Sequence, residues 1–159
     1  MQQINFLFSS IISFILLLGS GCAFNNAEVK RPDLIDKSKK MYIYGYNDEA
    51  NIKSTVKKNL LKLGFDVVDD KGIAALIVDY NYNCRWDVIH YTCRRFNMFV
   101  TDAMSNEIVL QSKFWAETLF SANHLIDNMF NELEKELDKT LSQKQATLPS
   151  QRAPQNNIR

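Results

Sequence analysis

The chain has 159 residues, with 19 Lys and Arg against 18 Asp and Glu and a formal net charge of +1. That length accommodates one domain with a real core, and the charge balance argues against a nucleic-acid binder, which needs a concentrated basic stripe. Aromatic residues make up 11% and there are 5 glycines, a globular composition and not low complexity.

Ile4 to Leu18 is an apolar stretch broken only by Asn5, Ser9, Ser10 and Ser13. A membrane-spanning helix needs about 20 mostly apolar residues, so this length suits the apolar core of an export signal. Leu18-Gly19-Ser20-Gly21-Cys22 follows directly. Small residues before a cysteine let the backbone enter the site of lipoprotein signal peptidase, and the thiol carries diacylglycerol. The stretch resembles a lipobox, with Gly19 where Leu is commonest and no Lys or Arg in Met1-Gln2-Gln3. The expectation is a signal peptide over 1–21 and a lipidated Cys22, anchored stably because several acyl chains hold where one is reversible. The alternatives are ordinary cleavage after Ala23 or an uncleaved anchor. By resemblance to enterobacterial sorting, Ala23 in place of Asp implies the periplasmic side of the outer membrane rather than the inner.

Ala23 to Lys40 is polar, contains Pro32 and lacks apolar periodicity, so residues 22–40 are expected to be the lipidated cysteine and a flexible tether, with Lys37, Lys39 and Lys40 solvated. Ser142 to Arg159, with Pro149, Pro154 and a Gln/Asn-rich finish, is expected to be a disordered tail. One domain over 41–141 remains.

Met41 to Tyr46 is aromatic and β-branched, as a strand requires. Asn47 or Asp48 then caps a helix bearing Ile52, Val56, Leu60 and Leu63, closed by Gly64 with Phe65 folded back. Asp66-Val67-Val68 is a candidate short extended piece before the Asp69-Asp70-Lys71-Gly72 turn. In Leu76 to Trp86 the even positions Leu76, Val78, Tyr80, Tyr82, Cys84 and Trp86 alternate with Asp79, Asn81, Asn83 and Arg85, which predicts a half-buried strand. Phe96, Met98 and Val100 continue the even core face on a third strand, and Ile108, Leu110, Phe114 and Ala116 on a fourth. Val100 opposite Leu110 keeps both on one face only with an odd-numbered loop or a bulge, which rejects a plain two-residue hairpin. A closing helix from about Asn123 lines up Ile126, Phe130, Leu133, Leu137 and Leu141, with Glu132, Glu134, Lys135 and Glu136 mostly outside. The predicted fold is α+β in the order β-α-β-β-β-α: a four-stranded, mostly antiparallel sheet with both helices on one face. Its first strand joins either edge in a parallel pairing.

With Cys22 given to lipid, Cys84 and Cys93 are left as a pair, which in an oxidising compartment reads as a disulfide. Their parity differs, so a bulge or an irregular loop within Asp87 to Thr92 is required. A zinc site from Cys84, His90, Cys93 and His124 is the weaker alternative, because C-x5-H-x2-C matches no common ligand spacing. No nucleophile–base motif or phosphate-cradling loop is present, and with only 2 histidines neither an enzyme nor a cofactor is expected. Asp66, Asp69, Asp70 and Asp79 read as solvated turn and face residues.

Two surfaces could bind a partner. The outer sheet face gathers Ile77, Phe99, Val109 and Trp115, with Tyr42, Tyr44 and Tyr46 or their neighbours. It is either a site for an envelope protein or another copy of the chain, or a surface packed under the tether or tails. The corner Trp86, Asp87 and Tyr91 is a candidate small-molecule or glycan site, or else a core Trp beside a turn-forming Asp.

Ala75 to Leu137 resembles a family of small uncharacterised proteobacterial lipoproteins. The resemblance lies in the tyrosine strand ending Arg85-Trp86-Asp87, Tyr91, the next hairpin, and Leu125-Ile126, Met129 and Glu132-Leu133 of the last helix. Leu63-Gly64-Phe65 before a Val pair is also similar. The resemblance implies an envelope location and a small α/β lipoprotein domain of the LptE type, and no activity.

Overall fold

Period-two alternation and period-3.6 stripes divide the chain between strand and helix. The computed structural model describes residues 23–36, 39–45, 51–87, 89 and 91–147. Its elements are β1 (Ala23–Val29), β2 (Lys40–Ile43), α1 (Ile52–Lys62), β3 (Asp66–Val68), β4 (Leu76–Trp86), β5 (Tyr91–Asp102), β6 (Ile108–Ser121) and α2 (Ala122–Thr147). The expectations for the signal, Cys22, Tyr46, the Asn47 or Asp48 cap, His90 and residues 148–159 lie outside the described residues.

The class is α+β with two helices, as predicted, but the sheet has six strands in the order β1-β6-β5-β4-β2-β3, not four. β4, β5 and β6 form the expected antiparallel meander. β2 pairs parallel to β4 through Met41↔Leu76 and Ile43↔Val78, which settles the edge it joins. β3 is the short extended piece, parallel to β2.

β1 corrects the tether. Ala23 to Val29 runs antiparallel to β6, from Ala23↔Ala116 to Val29↔Leu110. Asn25, Ala27 and Val29 are half-buried while Phe24, Asn26 and Glu28 are exposed, so the strand has a period of two. The signal is faint because its inward residues are small or polar. Asn25 compensates by donating from Nδ2 to the Asn128 carbonyl in α2 (3.1 Å). Beyond the strand, the Lys30 and Arg31 amides both donate to the Val109 carbonyl (2.9 and 3.1 Å), and Ile35 is buried in the core. At the other end, α2 continues past Leu141 to Thr147, where the tail was expected.

The β5–β6 register is the one predicted. Val100 faces Leu110, yet Thr101 faces Ile108, so Val109 is an extra residue. The bulge turns its side chain inward, and Val109 is fully buried rather than on the outer face. Asp102 holds the turn that follows by accepting from the Ser105 amide (3.0 Å), the Ser105 hydroxyl (3.1 Å) and the Met104 amide (3.2 Å). The Ser105 amide bond, ahead of the others, keeps its carboxyl below the usual carboxylate range.

The helices lie side by side over one face. Asn59 Nδ2 on α1 donates to Asp127 Oδ1 on α2 (2.9 Å), and Thr55 Oγ1 bonds Asn123 Oδ1 (3.0 Å). α1 buries Ile52, Val56 and Leu60, and α2 buries Leu125, Ile126, Met129, Leu133 and Leu137. α1 ends in the motif its sequence announces. Gly64 has φ 85°, its amide donates to Leu61 O (3.0 Å), and the Phe65 amide donates to Leu60 O (3.1 Å). At the centre, Phe96 is fully buried and stacks on Tyr80 and Tyr82, with centroids at 5.6 and 6.1 Å.

Candidate functional site

The β4–β5 hairpin positions both candidate surfaces. Asn83 faces Arg95 but Cys84 faces Cys93, so Arg94 is the extra residue. The irregularity that the cysteines needed is therefore within β5, not in the loop from Asp87 to Thr92. Cys84 and Cys93 form a disulfide. The bond consumes both thiols, so neither is available as a zinc thiolate. His124 is an exposed residue in the first turn of α2. Among the described residues, no three metal-ligating side chains converge.

The sheet face opposite the helices is laid out in cross-strand rows. Phe24, Trp115, Arg95 and Asn83 form one row, Asn26, Lys113, Asn97 and Asn81 the next, and Glu28, Gln111, Phe99 and Asp79 the third. Polar neighbours bond along the rows: Asn97 Nδ2 donates to Asn81 Oδ1 (2.7 Å) and Gln111 Nε2 to Glu28 Oε2 (2.5 Å). Phe24 is 56% exposed and Trp115 43%, and they are direct cross-strand partners. Phe99 is half-buried and four residues from Arg95, roughly 13 Å along the strand from the Trp115 row. Ile77 is half-buried and faces Tyr42, so Tyr42 joins this outer face while Met41 and Ile43 point into the core. The predicted aromatic face thus separates. Trp115 gains Phe24, which lies in the segment expected to be tether, and Phe99 stands apart.

Trp86 and Tyr91 do meet. They are opposed in register, with ring centroids 5.4 Å apart in an edge-on arrangement. Trp86 is not a core residue: it is 70% exposed, and Ile89 beyond it is 85% exposed. Asp87 is exposed at the turn between them. A hollow of about 230 Å³ lies beside the indole, lined by Asn51, Trp86, Ile89, Tyr91, Ser121 and Asn123. A second hollow of about 240 Å³ lies beside the Arg94 bulge, lined by Asn83, Arg85, Thr92, Arg94 and Leu119. Among the described residues, no helix is long and apolar enough to cross a membrane.

No family model matches the sequence, and no curated protein matches it. Solved structures do share parts of its shape. A PelC dodecamer subunit from Paraburkholderia phytofirmans is 13% identical, covering 72% of this chain and 98% of its own, with a TM-score of 0.47. A DUF4136 family protein from Bacteroides thetaiotaomicron is 10% identical, covering 79% and 96%, with a TM-score of 0.42. A minor lipoprotein from Acinetobacter baumannii is 12% identical, covering 66% and 92%, with a TM-score of 0.37. Likeness at this level transfers no activity from those proteins to this chain.

Proposed function

We propose that this chain is a lipid-anchored, non-catalytic envelope domain that binds a protein partner, an envelope protein or a second copy of itself, through its outer sheet face. The observation that carries the reading is the exposed Phe24–Trp115 pair on the face that neither helix covers. Single exposed apolar residues are ordinary, whereas two large aromatics side by side on a flat sheet offer the rigid contact area that interfaces use. The lipobox-like Leu18-Gly19-Ser20-Gly21-Cys22 supports the anchor. An outer-membrane address and an LptE-type domain belong to the same reading.

The test is a photocrosslinking residue at Trp115 in intact cells. A defined adduct is expected, and Trp115→Glu should abolish partner recovery while the protein stays folded. Undiminished recovery from a folded Trp115→Glu variant would reject the interface. Separately, a fatty-acid analogue should label the chain, and Cys22→Ala should remove the label.

A second reading has its own observation. The hollow beside exposed Trp86 is concave and combines aromatic rings with the amides of Asn51 and Asn123, a chemistry that suits a small molecule or glycan. Quenching or enhancement of Trp86 emission by oligosaccharides would support it.

A further inference from the structure

We infer that the hairpin end of the sheet docks on an anionic lipid surface, with Trp86 and Ile89 entering the interface and Arg85, Arg94 and Arg95 meeting headgroup phosphates. This rests on the reading of Cys22 as the anchor.

Position comes first. β1 begins at Ala23, the residue after Cys22, and Ala23 is already paired to Ala116. One residue spans at most about 3.6 Å, so an anchor at Cys22 leaves no slack between lipid and sheet. The start of β1, the β4–β5 hairpin and the N-termini of both helices share this end. Asn51 before α1 and Ala122 at the start of α2 line the same hollow as Trp86 and Tyr91.

Chemistry agrees with position. Tryptophan places an apolar body and a polar N–H at a membrane interface, and Trp86 and Ile89 are among the most exposed large apolar residues described. Arg85, Arg94 and Arg95 are exposed on the same hairpin, and the ion pairs of the described residues involve other side chains. The acidic groups nearby in the strands and turn are Asp87 and Glu117. Neither helix has an acidic residue in its first turn; the N-terminal dipole of α2 adds positive potential here, whereas Asp48 and Glu49 precede α1 in the sequence. Aromatic residues joined to arginines beside an anchor are the combination that turns a tethered domain's surface toward an anionic membrane.

The chain has 2 tryptophans, so Trp115→Phe leaves Trp86 as the sole reporter. The full lipidated chain is placed in phosphatidylethanolamine–phosphatidylglycerol vesicles whose acyl chains carry bromine. Flotation reads the anchor, and quenching of Trp86 reads docking. Strong quenching is expected, falling by roughly half or more when the three arginines become Gln or when salt is raised. Flotation with unquenched Trp86 overturns docking and leaves the anchor standing. Quenching indifferent to both salt and the arginines removes the anionic recognition and overturns it as well. So does an oligosaccharide that perturbs Trp86 where bromolipid does not. A chain that fails to float refutes the anchor, and docking with it.

Discussion

Cys84 stands directly opposite Cys93 because Arg94 is an extra residue in β5. Alternation alone assigns the two cysteines opposite parity, and the bulge returns both to one face. Closing so short a loop limits the unfolded chain, which stabilises by roughly 2–3 kcal/mol. Cys84→Ser with Cys93→Ser should lower the free energy of unfolding by about that amount, read by denaturant titration followed by circular dichroism. Mass spectrometry of the unreduced protein should find no free thiol at either position.

β1 is an edge strand, so only its amides that point to β6 are bonded. Alternate amides across 23–29 should resist hydrogen exchange, and those between them should exchange quickly. Uniformly fast exchange across the segment would return it to a tether.

Phe96 fills the core against Tyr80 and Tyr82. Phe96→Ala should cost about 3–5 kcal/mol. Against a total domain stability of about 5–15 kcal/mol, that is enough for a marked loss of soluble protein and a large drop in the thermal midpoint. A shift of only a degree or two would mean the site is not packed as described.

Acid should weaken the junction after β1. The Arg31 guanidinium donates from Nε and Nη2 to Asp33 (3.0 and 2.8 Å) and also pairs with Glu107. The bond from Arg31 holds the Asp33 carboxyl at about 2, down from 3.8. A carboxylate with a depressed folded-state pKa stabilises above its unfolded value and loses that contribution as pH falls toward the folded one. Asp102 shifts in the same direction. Stability should therefore decline from about pH 4 toward about pH 2, and Asp33→Asn should flatten that slope in acid-titrated unfolding curves. An unchanged slope would remove the pair from the acid response.

Local pattern by itself determined α1 with its glycine stop, β4, β5, β6, α2 and the Val100–Leu110 pairing, because strong apolar periodicity and parity are properties of neighbours in sequence. It also singled out Trp115, Trp86 and Tyr91, and it paired Cys84 with Cys93. The tertiary structure alone decided the rest. The inward residues of β1 are Asn, Ala and Val, too weak to register as a strand until β6 and Asn128 supply their partners. Phe24 therefore stayed invisible as the neighbour of Trp115. Val109 and Arg94 break alternation because bulges arise from how two strands meet, which no single strand encodes. Trp86 keeps its place on the even face by count, yet it lies past the end of the core and is 70% exposed.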